Sequence, residues 1–146
     1  MLNPIKYDLH CHTNCSDGQL TPKELVDRAI EMGVNALAIT DHDTIAAYQY
    51  INIKENSSIK IIPGIEFSSS WEKINVHIIG LNFKLDSTSL ETGIKFQQAA
   101  RSQRAAMIAS RLDNLGFKGS LAGAANIAKN GNIGRPHFAQ YLLDIG

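Results

Sequence analysis

The chain has 146 residues, 44% of them hydrophobic and 19% charged, which fits one folded domain with a sizeable core rather than a disordered segment. Fourteen basic residues balance fourteen acidic ones, so net charge does not steer the protein toward nucleic acid or an anionic membrane and leaves room only for a local basic patch. No apolar run reaches the roughly 18 residues of a membrane span, MLNPIKYDLHCH lacks the pattern of a signal peptide, and Cys11 and Cys15 do not make a secreted disulfide framework. A reducing cytoplasm is the expected compartment.

β-Type runs are predicted at residues 5–9, 36–40, 59–62, 65–69 and 76–81, the third ending at Pro63-Gly64. ALAIT at 36–40 is nearly all apolar, as in a strand covered on both faces. A helix is predicted after Thr21, with Pro22 in its first turn, Glu24 as capping-box partner and Gly33 as its stop. Strand–helix–strand order predicts a parallel α/β arrangement with a right-handed crossover. Beyond Leu81 the chain turns helical. A long helix capped by Ser87 or Ser89 runs to Gly116, rich in alanine, and shorter helices follow near 121–129 and 136–144. The expected division is 1–84 as sheet and helices and 85–146 as a helical insertion.

Four of the five histidines fall at or just beyond a predicted strand. His10 and His12 flank Cys11, and alternation along an extended chain points both imidazoles to one side. Asp17 follows before Gly18, in a loop able to fold back. Asp41-His42-Asp43 follows the second strand, Glu66 lies in the fourth and His77 in the fifth. The carboxyl ends of parallel strands gather at one face, so these residues are expected to converge. Imidazole and carboxylate donors suit Zn, Mn or Fe. A carboxylate such as Glu66 can bridge two cations, and cations supply a hydroxide at neutral pH for attack on phosphorus without a Ser or Cys nucleophile. The bland alternative is a set of solvated polar histidines; the full set of spacings favours the metal site.

The segments DLHCHTNCSDG, TPKELVDRAIEMGVNALAITDHDT, PGIEFSS and VHIIGLNF together resemble the polymerase-and-histidinol-phosphatase (PHP) superfamily. The later LGFKGSLAGAANIAKNGNIGRPHFAQYLL resembles the branch that holds 3′,5′-nucleotide bisphosphate phosphatases and 5′→3′ exoribonucleases acting on short RNA. The resemblance implies a distorted (β/α)7 barrel with up to three divalent cations. His10, His12 and Glu66 would hold one, Glu66 would bridge to a second held by His77, and Asp17 with His42 would hold a third. Asp41 would be a supporting carboxylate behind the ligands. In the GRPH segment, Arg135 would fork onto a substrate phosphate and His137 would donate to it; the alternative is that the segment only caps a helix. The implied function is hydrolysis of phosphate esters of nucleotides or short RNA.

The family pattern also carries a later His and an Asp-x-His pair, whereas no His follows His137 here. Five predicted strands cannot close a seven-stranded barrel. The expectation is therefore an incomplete barrel, inactive by itself or completed by a missing C-terminal segment or another chain. The alternatives are a non-catalytic metal- or nucleotide-binding module and a histidinol-phosphate phosphatase. Cys11 should point away from its histidine neighbours and, like Cys15, pack rather than ligate. Arg101, Arg104 and Arg111 read as solvated helix charge rather than a rim for RNA. Trp71 either stacks on a base or packs locally.

Overall fold

The structure is a computed structural model that describes residues 4–53, 58–72, 74–129 and 131–146. Strand β1 (Tyr7–Cys11) leads through a loop to helix α1 (Pro22–Glu31), which opens with the expected capping box: Thr21 accepts from the Glu24 backbone N–H and Glu24 reaches back to Thr21 N. Gly33 takes the left-handed φ of 70° that lets the chain turn out of α1 into strand β2 (Ala36–Ile39), buried throughout. A 3-10 turn at Ala46–Gln49 precedes β3 (Lys60–Trp71) and β4 (Ile74–Leu81). Among the described residues the sheet has four strands in the order β1-β2-β3-β4.

Two expectations are corrected here. The runs at 59–62 and 65–69 are one strand, because β3 continues through Pro63-Gly64. Pro63 has no N–H to satisfy, and Gly64 sends its N–H to Tyr48 Oη at 2.6 Å. That point is also where β3 changes partner, pairing in parallel with β2 up to Pro63 and antiparallel with β4 from Gly64 onward. A Cβ on Gly64 would sit 2.8 Å from the Ile39 carbonyl oxygen, so the crossing requires glycine. The sheet is thus mixed rather than parallel throughout, and His77 reaches the site from a hairpin opposite Ser68 rather than from the carboxyl end of a parallel strand.

The first core lies between α1 and the sheet, from Val26 and Ala29 to Leu37, Ile39, Ile59 and Ile61. Helix α2 (Thr88–Asn114) is capped by Ser87, and α3 (Ser120–Ala128) and α4 (Arg135–Ile145) fold back on it. Ala105, Ala109, Ala124 and Phe138 make their common core. The small alanines allow close approach of the helices, and a Cβ on Gly123 would overlap the Tyr141 ring at 2.0 Å. No helix among the described residues is long and apolar enough to cross a membrane.

Candidate metal centre

Strands β1, β3 and β4 and the segments just beyond β1 and β2 contribute to one cluster. Pairing between β1 and β2 shifts register between Asp8 and Cys11, an irregularity that falls on the strand carrying His10. His10 Nε2 then lies 3.1 Å and His12 Nε2 2.8 Å from the same atom, Glu66 Oε2. His42, just beyond β2, bridges in parallel to Glu66 and places Nδ1 3.5 Å from that oxygen. From β4, His77 Nδ1 meets Glu66 Oε1 at 2.6 Å. The loop after β1 brings Asp17 back, with Oδ1 2.8 Å from His12 Nδ1 and Oδ2 3.6 Å from His42 Nε2. Gly18 makes that return possible: a Cβ there would lie 2.3 Å from the His12 carbonyl oxygen.

Glu66 is buried at the middle, while the His10 and His77 side chains at the two edges are 56% and 47% exposed. Burial works to raise the Glu66 pKa, but hydrogen bonds from His10 and His77 and the charges of His42 and His12 outweigh it and hold the carboxyl below its usual range. For Asp17 the hydrogen bond with His12 dominates and pulls the pKa to about 2. Burial disfavours protonated His12, yet its bond to Asp17 and the charges of Asp17, Glu66 and Asp41 raise its pKa. Burial prevails at His42, which is lowered.

The donors fall into three overlapping groups whose ligand atoms lie within 4.8 Å of one another: His10, His12 and Glu66; His12, Asp17 and His42; His42, Glu66 and His77. All six metal-ligand candidates from the sequence are therefore together. Relative to the expected sets, the geometry adds His12 beside Asp17 and His42, and His42 beside Glu66 and His77. Two buried nitrogens, His12 Nε2 and His42 Nδ1, have no hydrogen-bond partner. The 2.8 Å approach of His12 Nε2 to Glu66 lacks hydrogen-bond alignment, so proximity there is not satisfaction. Buried ring nitrogens without a hydrogen-bond partner, set this close to a carboxylate, fit a divalent cation, with nitrogen and oxygen donors of the type Zn, Mn and Fe accept.

Asp41 supports the cluster from behind. It is buried and accepts from Thr13 N, Thr13 Oγ1 and Ser16 Oγ at 2.6–2.7 Å. Burial raises its pKa against the pull of these bonds. Cys11 points the other way, with Sγ 3.2 Å from the Ala38 carbonyl, and burial pushes its thiol up to about 12. Neither cysteine joins a donor group, and both are free thiols. Trp71, at the end of β3, is exposed.

The helical half closes over this centre. A cavity of about 110 Å³ is lined by Asp17, His42 and His77 on one side and by Arg101, Arg104 and Arg135 on the other. His137 lies elsewhere: its Nδ1 accepts from Gly134 N at 2.9 Å, tying down the start of α4, and it borders a separate cavity beside Asp17 and Gln140. Burial lowers its pKa. Arg101 corrects the reading of solvated helix charge. Its Nε meets Asp43 Oδ2 at 2.5 Å and its Nη2 donates to Ser68 Oγ at 2.8 Å. Asn132 is a second contact that the sequence reading missed, donating to the His42 carbonyl at 2.9 Å. The helix spacing of Arg101 and Arg104 hints at one face, but only the tertiary fold shows that it meets the cluster.

The chain belongs to the PHP domain family, whose profile matches residues 8–136. It is 44% identical over 145 residues to the 5′-3′ exoribonuclease Rnm of Escherichia coli (strain K12), covering 97% of this chain and 50% of that protein. It is 37% identical over 141 residues to the 3′,5′-nucleoside bisphosphate phosphatase of Chromobacterium violaceum, covering 95% and 50%. Among solved structures, a C. violaceum amidohydrolase with bound SO4 superposes with a TM-score of 0.88 at 36% identity, covering 97% of this chain and 50% of that one. A Bifidobacterium adolescentis chain described as a metal-dependent phosphoesterase gives 0.86 at 29% identity, with coverage of 97% and 51%. The chain thus spans about half the length of these relatives, and its sheet and helices match an incomplete PHP barrel.

Proposed function

We propose that this chain is the metal-binding half of a PHP phosphoesterase that hydrolyses phosphate esters of a nucleotide or short RNA. The observation that carries the reading is the pair of buried, unpartnered nitrogens on His12 and His42 amid three overlapping donor groups. His10, His12, Asp17, His42, Glu66 and His77 would hold up to three divalent cations, of which Mn, Zn and Fe suit the donors. Cations so placed supply Lewis acidity and an acidified water. Glu66 is the shared carboxylate and the acceptor around which the histidines are arranged. Arg135, beside Arg104 and at the start of α4, is the group we assign to a substrate phosphate: its guanidinium can fork onto two oxygens, and the helix start favours negative charge. His137 acts through Gly134, fixing the turn that presents Arg135. We take 1–84 as the barrel part and 85–146 as the helical insertion that roofs it. The free thiols fit a reducing cytoplasm.

The relatives are about twice as long, and His10 and His77 are half exposed at the sheet edges. We therefore assign turnover to the protein in which the remaining strands are also present, in the same chain or a second one. The test is Mn²⁺ binding by this chain, measured by electron paramagnetic resonance, together with phosphate release from a 3′,5′-bisphosphonucleotide and trimming of a short RNA by the longer protein. The parent is expected to bind Mn²⁺ and to hydrolyse; His10→Ala with His12→Ala is expected to abolish hydrolysis and to weaken the two donor groups that contain His12, leaving that of His42, Glu66 and His77. Full activity in that double variant would overturn the site.

A further inference from the structure

Arg101 and Asp43 do something the ligand set does not explain. Asp43 follows His42 directly, is fully buried and has a left-handed φ of 54°, a conformation few residues other than glycine, asparagine and aspartate tolerate. Its backbone N–H donates to the Glu66 carbonyl at 3.0 Å, and its Oδ1 accepts from Ser68 N at 2.8 Å. The residue after His42 is thereby stitched to β3 on both sides of Phe67. The second carboxylate oxygen would be an uncompensated charge in the interior without Arg101, which arrives from the middle of α2 with its side chain only 12% exposed. Arg101 uses two of its nitrogens, one on Asp43 and one on Ser68, and Ser68 is the residue opposite His77 in the hairpin. One guanidinium therefore touches the support of both His42 and His77.

We propose that Arg101 and Asp43 are a positioning couple through which the helical half sets the orientation of His42, and with it the cation affinity of the two donor groups that contain His42. The inference rests on the metal reading above, but its geometry is separable from it. The group of His10, His12 and Glu66 lacks His42 and serves as an internal control. Partners that orient metal ligands typically change metal affinity about 10–100-fold when removed. Lysine carries one ammonium in place of a planar fork, so it cannot reproduce both contacts.

Co²⁺ titration of the 146-residue chain, followed by visible absorption, tests this. Arg101→Ala is expected to weaken two of the three bound ions by about 10–100-fold while the remaining one stays within a few-fold of the parent. Arg101→Lys should show the same pattern to a smaller degree, and Arg111→Ala, exposed near the end of the same helix, should match the parent. Unchanged affinities, or equal weakening of all three ions in a variant with native near-ultraviolet circular dichroism, overturn the couple. If Arg101→Ala does not fold, Arg101→Lys decides. Should the parent chain bind no Co²⁺, the metal reading fails, while the geometry is judged without cations from histidine imidazole NMR resonances. There the couple predicts a shift of His42 with His10 unmoved in Arg101→Lys, and an unshifted His42 overturns it.

Discussion

Replacing Glu66 by glutamine removes one charge and almost no volume at the centre of the cluster. Its two oxygens lie within 3.5 Å of ring nitrogens from His10, His12, His42 and His77. It belongs to two of the three donor groups and is absent from that of His12, Asp17 and His42. A unit charge about 4 Å from another interacts by about 4 kcal/mol at the effective dielectric of a partly buried site, and that is a lower figure for a doubly charged ion in direct contact. About 4 kcal/mol corresponds to about a thousandfold in dissociation constant. Calorimetric titration with Mn²⁺ should therefore show two ions weakened by at least that order and one retained. This fingerprint is complementary to that of Arg101→Ala, which leaves the other group intact. Glu66→Gln binding Mn²⁺ with parental affinity and stoichiometry, its circular dichroism unchanged, would refute the reasoning.

Asp17 offers a pH test on the metal-free chain. Its folded pKa of about 2 lies below the ordinary 3.8, so the stability it adds is present above 3.8 and is lost as pH falls toward about 2. The gap is worth about 2 kcal/mol, so urea midpoints measured between pH 5 and pH 2 should fall less steeply in Asp17→Asn than in the parent. Gly18→Ala should destabilise the loop by about 1–3 kcal/mol, because the added methyl meets the His12 backbone rather than a flexible side chain, and should weaken Mn²⁺ binding along with it. Mn²⁺ at about 100 times its dissociation constant should add about 2.7 kcal/mol to folding. For a chain of this size that raises Tm by about 8–10 °C by scanning calorimetry, and EDTA should reverse it.

Much of the site was legible from spacing, because strand alternation fixes the sides of His10 and His12 and strand ends fix the level of His42. Glu66 was legible too, although the strand carrying it is longer than the sequence predicts. Pro63-Gly64 reads locally as a breaker, and it is the distant Tyr48 hydroxyl that supplies what the backbone needs there. The direction of β4 was recoverable: six residues between the runs at 65–69 and 76–81 are too few for a parallel crossover, which takes a dozen or more. The register shift in β1 and the destination of Arg101 were not. The first depends on how two strands settle against each other, and the second on the angle at which α2 crosses the sheet, and neither is a property of neighbours in sequence.

The four imidazoles lie in a row, His10 against His12, His12 against His42 and His42 against His77. Glu66 is 4% exposed and sits on the strand that changes partner, so histidines reach it from β1 and the β2 end on one side and from β4 on the other. A buried polar atom without a partner costs about 1–3 kcal/mol, which the fold would shed if the rings simply turned to hydrogen-bond with their neighbours. That turn is opposed at the ring for His12 and at the backbone for His42. His12 is held through Nδ1 by Asp17, and the backbone of His42 is pinned by Asn132 on its carbonyl and by Asp43 on the next residue. A donor cluster whose loop and backbone contacts are already made needs less ordering to take up an ion than a flexible site would. The same contacts tie the His42 segment to the helical half, through Asn132 on its carbonyl and Arg101 on Asp43.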